Sequence, residues 1–168
     1  LPDTLEVQMG RTVKWLSPVR SRFWRGLGLS QYATADLDVQ LMWDGTDSQS
    51  SREACLSAFM SDDAAERARA ITPARREAVL GEQIEQLYPG YRSQLSRSPR
   101  LVDWIADPNT RAGYSFASPG QVTRSGPTLR RGIGLLHFAG EHCAFDFAGY
   151  MEGALQSGVR TARSLSAA

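Results

Sequence analysis

The amino-acid sequence predicts a mixed α/β fold, and two changes of hydrophobic pattern along the chain support this class. Before residue 61, several short segments alternate apolar with polar residues, as half-buried strands do. After it, apolar residues recur with the period of an α-helix, and this period returns between residues 147 and 165. A length of 168 residues suits one domain of this class or pieces of two.

Four strands are predicted in the first third of the chain. The clearest is 11–17, in which Lys14 and Trp15 fall on opposite faces, and Pro18 is expected to end it. Phe23 and the residues that follow it favour a turn. Three further strand-like segments cover residues 29–34, 39–43 and 54–60.

Two helices are predicted in the middle of the chain. Ser61 and the two acidic residues after it favour the capped start of a first helix, which reaches Ala70. Pro73 is typical of a first helical position and starts a second helix that continues to Leu87. Pro89 is expected to end it.

The last part of the chain combines strands, an irregular segment and one long helix. Residues 99–105 and 135–138 are predicted as strands, and 112–127, rich in Gly, Ser and Pro, as irregular. The final helix, 147–165, contains three glycines that leave one face narrow, so a flat ligand or another backbone can approach it. Tight packing on a sheet explains the same glycines equally well.

Composition excludes several classes of function. The chain has 19 cationic and 18 anionic residues, a balance that favours neither nucleic acid nor a membrane surface as partner. Lys14 is the only lysine. The start at Leu1, without a signal peptide, is expected to be a cut or mature terminus. Cysteines and histidines are too few and too widely spaced for a zinc site, so no metal is expected.

The strongest local signal for chemistry is Glu141, directly after the predicted strand 135–138 and shortly before the final helix. A carboxylate there can accept hydrogen bonds from sugar hydroxyls, and a helix N-terminus offers free N–H groups to an electron-rich ligand. This arrangement is a common way to hold a nucleotide cofactor. Glu141 as an ordinary surface carboxylate remains an alternative. No GxGxxG occurs, so a complete dinucleotide site requires another segment.

Four blocks of the sequence carry a resemblance to a known family. LHFAGEHCAFDFAGYMEGALQSGVRTA at 136–162 resembles the C-terminal signature of the flavin-dependent amine oxidases, which include monoamine, polyamine and L-amino-acid oxidases. GRTVK at 10–14 resembles the strand with the lysine near flavin N5. Trp104 and AGYS at 112–115 are similar to the stretch that passes the flavin ring. The resemblance covers nearly the whole chain, with 44–98 matched only in pattern.

The resemblance implies a two-domain, FAD-linked fold of which this chain supplies the C-terminal portion. Residues 1–10 would end a segment of the FAD domain, 11–108 would form part of the substrate-binding domain, and 109–168 would return to the FAD domain. A second chain, either a fragment of one precursor or a separate subunit, would carry GxGxxG. The whole assembly is a candidate homodimer.

The resemblance also implies roles for individual residues. Lys14 would be catalytic, since it would hold a water against flavin N5 and assist the reaction of reduced flavin with dioxygen. Tyr114 and Tyr150 would flank the substrate amine, and Trp43 would line the pocket or pack in the core. The implied cofactor-binding residues are Trp104, Ala139, Gly140, Glu141, Tyr150 and Met151. Gly113 stands where animal monoamine oxidases carry the cysteine that binds flavin covalently, so non-covalent FAD is implied.

The implied reaction is oxidative deamination. A hydride passes from the carbon that bears a neutral amine to flavin N5, the imine hydrolyses to a keto acid and ammonia, and dioxygen is reduced to hydrogen peroxide. AGEHC followed by GYMEGA resembles bacterial L-amino-acid oxidases, which makes an L-amino acid the expected substrate. A monoamine or polyamine oxidase is the alternative, and oxidative decarboxylation or a non-catalytic interaction module with this fold remain further ones.

Overall fold

A computed structural model describes residues 5–166. The chain divides into two compact units. The first, which we call the sheet unit, is Arg11–Arg111. The second, the terminal unit, is formed by the segments on either side of it, up to Gly10 and from Ala112 onward. The predicted cut terminus at Leu1 lies outside the described residues.

The sheet unit contains a five-stranded antiparallel sheet with the strand order β2-β3-β4-β1-β5. Three helices follow β4, and a short 3-10 helix, Phe23–Leu27, follows β1. The strands are β1 Thr12–Val19, β2 Tyr32–Thr34, β3 Leu41–Asp44, β4 Ala54–Ser61 and β5 Arg100–Asp103. The helices are α1 Asp62–Ala70, α2 Pro73–Leu87 and α3 Tyr91–Gln94.

The two faces of this sheet differ in burial. Trp15 and Met42 lie on the face that packs with α1 and α2 and are buried together with Leu80 and Ile84. Removing this much apolar surface from water is the main stabilising term of the unit. The opposite face carries Lys14, and it is only partly covered within the sheet unit. The alternation predicted for residues 11–17 is therefore present, with the apolar side inward.

Pro18 does not end β1 as expected. Its carbonyl oxygen accepts a hydrogen bond from the Ser96 amide at 3.0 Å. In an antiparallel strand the N–H and C=O of one residue point to the same side, so the N–H that proline lacks would point away from β4. Strand β1 therefore stays paired with β4 up to Val19, which faces Ala54.

Most other elements of the sheet unit lie close to their predicted bounds. The strands β2, β3 and β5 differ from the predicted segments by a few residues at their ends. Ser61 is the N-cap residue of α1, as expected, but its hydroxyl donates to Gln40 Oε1 at 2.9 Å and makes no cap bond to the helix. The predicted turn at Phe23 is a 3-10 helix, which Gly28 closes with a φ of 69°.

The two segments of the terminal unit pair with each other through their backbone. The Gly10 amide donates to the Tyr114 carbonyl oxygen at 2.7 Å, and the Gly113 amide donates to the Gly10 carbonyl oxygen at 2.8 Å. Two residues further along each segment, the Phe116 amide donates to the Gln8 carbonyl oxygen at 2.8 Å. These bonds hold residues 8–10 beside 113–116.

Three predictions for the terminal unit are corrected. Part of the segment expected to be irregular is helix α4, Gln121–Arg131, which buries Gln121, Ser125 and Leu129 at helical spacing. Residues 135–138 form no strand, because no neighbouring strand is present among the described residues, and only an isolated bridge joins Ile133 to Leu136. The final helix, α5, is Met151–Ser166 and begins later than expected. Phe147 and Gly149 have φ of 57° and 83°, which an α-helix does not allow.

Candidate functional site

The Glu141 carboxylate ties two loops of the terminal unit together. Its Oε1 accepts a hydrogen bond from the Ser115 amide at 2.7 Å. Its Oε2 accepts from the Ser115 hydroxyl at 2.7 Å and from the Gly149 amide at 2.6 Å. Each carboxylate oxygen has two lone-pair directions, so Oε1 keeps one for a further donor. Glu141 is therefore an organised acceptor rather than a freely solvated surface carboxylate.

Gly140 precedes this carboxylate in a conformation that requires glycine. Its φ is 147°, and a Cβ there would overlap the His142 ring. The Ser157 hydroxyl of α5 accepts a hydrogen bond from the Gly140 amide at 2.8 Å and lies 2.8 Å from the Gly140 carbonyl oxygen. Ser157 is fully buried, and no pattern in the sequence singles it out. It fixes the segment around Gly140 onto α5, while the neighbouring Ala139 is exposed.

The N-terminus of α5 is open to solvent within the terminal unit. Tyr150 is 69% exposed and Met151 is 90% exposed. The first amides of a helix have no partner within it, and the helix dipole adds partial positive charge there. Gly149 brings the backbone close to Tyr114, since a Cβ at Gly149 would lie 3.4 Å from the Tyr114 ring. Tyr114, Gly149 and Glu141 thus lie together, directly before the open end of α5.

The three glycines that were predicted to make one face of the final helix narrow have different environments. A Cβ at Gly153 would overlap the Phe147 carbonyl oxygen and lie 3.0 Å from Ala144 Cβ. A Cβ at Gly158 would meet nothing within 4 Å. Only Gly149 and Gly153 therefore allow a close approach of other atoms in the structure, and the approaching atoms belong to this chain.

We expect Gly153→Ala to lower the free energy of unfolding by about 1–3 kcal/mol, because the backbone at Phe147 must shift to admit a methyl group. Gly158→Ala is the matched control and is expected to be neutral or stabilising by up to about 1 kcal/mol, since alanine favours a helix more than glycine does. Denaturant unfolding of the complete protein, followed by far-UV circular dichroism, measures both. Equal effects of the two substitutions would contradict this account.

Lys14 and Trp43 meet on the partly exposed face of the sheet unit. Lys14 Nζ lies 5.6 Å from the centroid of the Trp43 ring, within the range of a cation–π interaction. Trp43 is therefore a surface-facing residue of β3 rather than a member of the buried core. Trp104 follows β5 and is about half exposed. The structure brings Lys14 and Trp43 together, and Trp104 takes part in neither of the two cation–π contacts among the described residues.

A buried ion pair that the sequence did not predict follows Trp43 directly. The Asp44 carboxylate is fully buried and accepts from Arg22 Nε at 2.8 Å. It also accepts from the amide and the hydroxyl of Thr46, at 2.8 Å and 2.7 Å. Burial alone would raise the pKa of Asp44, but the bonds from Thr46 and Arg22 together hold that pKa below its usual value. The short spacing of Asp44 and Thr46 around a glycine is the one sequence signal for this turn.

Neither a metal centre nor a membrane-spanning helix is formed by residues 5–166. In this range, His, Cys, Asp and Glu side chains form no group of three or more arranged to hold a metal ion. No helix in the same range has both the length and the apolar character that crossing a bilayer requires.

An organised carboxylate beside an open helix N-terminus can hold an electron-rich nucleotide cofactor, and cofactor-dependent enzymes are the class of protein that such a site suggests. Comparison with known proteins gives the family. The sequence model of the family described as flavin containing amine oxidoreductase matches residues 5–166, and the chain belongs to this family.

Relatives within the family act on different substrates according to their names. A probable flavin-containing monoamine oxidase A of Dictyostelium discoideum is 28% identical over 167 residues, which cover 96% of this chain and 36% of that protein. An L-amino acid dehydrogenase of Synechocystis sp. is 28% identical over 165 residues, covering 96% and 34%. A solved structure of wild-type putrescine oxidase bound to putrescine superposes with a TM-score of 0.86 at 26% identity, covering 96% and 36%.

These findings confirm several predictions. The family resemblance, the mixed α/β class and the amine-oxidase fold are confirmed, and so is a flavin cofactor, FAD. The chain spans about a third of the length of the relatives it matches. The roles assigned to Lys14, Trp43, Tyr114 and the residues around Glu141 stay predictions, because neither the geometry nor the comparisons test them.

Proposed function

We propose that this chain is the C-terminal portion of an FAD-dependent oxidase that deaminates L-amino acids oxidatively. The observation that carries the proposal is Glu141, a carboxylate held by three internal donors with one acceptor direction left, directly before the open end of α5. This donor and acceptor set suits a flavin, whose ribityl hydroxyls donate and whose pyrimidine edge is electron-rich.

Residues of the terminal unit would hold the cofactor. Glu141 Oε1 would accept a ribityl hydroxyl, and the backbone at Tyr150 and Met151, at the start of α5, would face the pyrimidine edge, where the helix dipole favours negative charge. Attachment is non-covalent, since Gly113 has no thiol. When bound, the flavin accepts a hydride from the carbon that bears the amine and passes the electrons to dioxygen, which gives hydrogen peroxide.

The other residues position reactants. Tyr114 and Tyr150 present partly exposed aromatic rings, and electron-rich faces suit an amine nitrogen. Holding the amine between such faces orients its Cα–H and lowers the entropic cost of reaction. Lys14, whose compact ammonium has three donors, binds a water and assists the step with dioxygen. The imine that leaves then hydrolyses to a keto acid and ammonia.

A second substrate class is supported by the sheet unit. Phe59 and Val102 are the cross-strand neighbours of Lys14, and Leu41 lies next in the same row. This row is apolar on both sides of Lys14 and suits an alkyl or aryl amine without a carboxylate. A monoamine or polyamine oxidase is therefore the second candidate.

We also propose that a second polypeptide segment, carrying GxGxxG, completes the protein. Residues 135–138 lack a partner strand among the described residues, and Leu135 is 100% exposed. On α5, Met151, Leu155 and Val159 are exposed at helical spacing and form an apolar stripe. Large apolar surface of this kind marks an interface.

Purification of the complete protein tests both proposals. We expect the 18.5 kDa chain to co-purify with a segment that carries GxGxxG, and the assembly to show the visible absorbance of a flavin. A peroxide-coupled screen with the twenty L-amino acids and a panel of amines then identifies the substrate class. Production of peroxide with amines but not with amino acids would favour the second candidate, a monoamine or polyamine oxidase. A stable, flavin-free monomer of this chain would contradict the whole proposal. The non-catalytic interaction module would then be the alternative that the result supports.

A further inference from the structure

Lys14 lies in an apolar row of the sheet. Its cross-strand neighbours are Phe59 on β4 and Val102 on β5. Among the described residues seven ion pairs occur, and Lys14 takes part in none of them. Residues 5–166 therefore supply no carboxylate that would fix the Lys14 ammonium in place or cancel its charge.

The Lys14 ammonium contacts the aromatic face of Trp43 instead of a carboxylate. Trp43 is two strands away from β1, and Ser57 of β4 stands between Trp43 and Leu16 in register. The small side chain of Ser57 gives the indole no bulky neighbour directly opposite on β4, and Lys14 Nζ lies 5.6 Å from the ring centroid. The negative face of an indole attracts an ammonium at this distance.

The position of Trp43 is itself well supported. Asp44, the next residue, is held by Arg22 and Thr46. The other guanidinium nitrogens of Arg22 donate to the Ser51 carbonyl oxygen at 2.6 Å and to Gln49 at 3.2 Å. The end of β3 and the loop after it are thus tied to one buried carboxylate. Trp43 therefore lies at a strand end that several hydrogen bonds hold in place.

We propose that Trp43 is a positioning residue for Lys14. Its ring holds the ammonium in place and leaves the charge intact, which a carboxylate partner would not do. An uncancelled positive charge can bind water and stabilise the negative charge that develops when dioxygen takes up electrons. This inference rests on the proposed function of Lys14, and it gives Trp43 a role that acts through Lys14 rather than through direct contact with substrate.

The contact between Lys14 and Trp43 can be tested without a measurement of enzyme activity. Lysine-selective isotope labelling of the complete protein gives a side-chain NMR signal for Lys14, assigned as the signal absent from Lys14→Met. We expect the aromatic ring current to displace this signal upfield. Trp43→Leu should return it towards the position of a solvated lysine, and Trp43→Phe should retain part of the displacement.

The role is tested by a double-mutant cycle on the two half-reactions. Trp43→Leu is expected to slow reoxidation by dioxygen about three- to fivefold, the effect of one cation–π contact at an exposed site. In the Lys14→Met background, Trp43→Leu should cause no further slowing, because its effect passes through Lys14. A purely structural or substrate-lining role would give additive effects and would overturn the inference.

The outcomes separate this inference from the proposed function. If Lys14→Met slows reoxidation while Trp43→Leu changes neither the NMR signal nor reoxidation, the inference fails and the function of Lys14 stands. If Lys14→Met leaves reoxidation unchanged, the proposed role of Lys14 fails, and the role of Trp43 fails with it.

Discussion

Lys14→Met is expected to slow the reoxidation of the reduced flavin by dioxygen about a hundredfold, the typical cost of removing one preorganised electrostatic stabiliser. Anaerobic reduction by substrate should be nearly unchanged, because methionine has a similar length and Lys14 forms no ion pair with another of the described residues that the substitution would break. Stopped-flow absorbance of the flavin, recorded separately for the two half-reactions, measures both rates.

Lys14→Arg is the matched control for this prediction. It keeps the charge but replaces a compact ammonium with a planar, forked guanidinium that binds a single water less well. We expect a reoxidation rate between those of the wild-type protein and Lys14→Met. Equal slowing of both half-reactions in Lys14→Met would remove Lys14 from the role proposed for it.

Arg22→Ala is expected to lower the free energy of unfolding by about 3–5 kcal/mol, since it leaves the buried Asp44 carboxylate without its cation. Arg25→Ala is the control from the same loop region. The Arg25 pair with Asp47 is 3.6 Å long and largely exposed, so its loss should cost less than about 1 kcal/mol. Urea unfolding followed by tryptophan fluorescence reports on this unit, which contains Trp15, Trp24 and Trp43.

The effect of Arg22→Ala should depend on pH with a defined sign. The pKa of Asp44 is lowered in the folded protein, so its stabilising interactions are present above the ordinary pKa of an aspartate, about 3.9, and are lost as the pH falls through the lower folded value. The stability difference between wild-type protein and Arg22→Ala should therefore shrink in acid. A difference that stays constant down to acid pH would show that Asp44 is not the partner that matters.

Elements set by local pattern could be predicted from the sequence. Strand β4 and helices α1 and α2 agree with their predicted segments because alternation, helical period and Pro73 are all local signals. Helix α4 could not be predicted in this way, since Gly126 and Pro127 lie inside it and are typical of turns. Its buried residues follow the helical spacing, but they include Gln121 and Ser125, which no hydrophobic pattern would single out.

The candidate site shows the same division between local and distant signals. Glu141 could be identified from its place before a Gly-rich helix, but its partner Ser115 is 26 residues away in the chain. Arg22 and Asp44 are separated by 22 residues, and only the fold brings them together. The segment 135–138 has the composition of a strand, yet a strand requires a neighbour for its hydrogen bonds, and the described residues supply none.

The hydrogen bonds that join Gly10 to residues 113 and 114 have an evolutionary consequence. They belong to the terminal unit alone, and they hold the start and the end of the intervening 11–111 segment side by side. Residues 11–111 can therefore become longer or shorter, or be exchanged, without a change in the terminal unit. The reason is that the terminal unit alone fixes the distance between the two points at which this segment is attached. Changes within residues 11–111 can therefore accumulate without disturbing the backbone bonds that hold Gly10 beside residues 113 and 114.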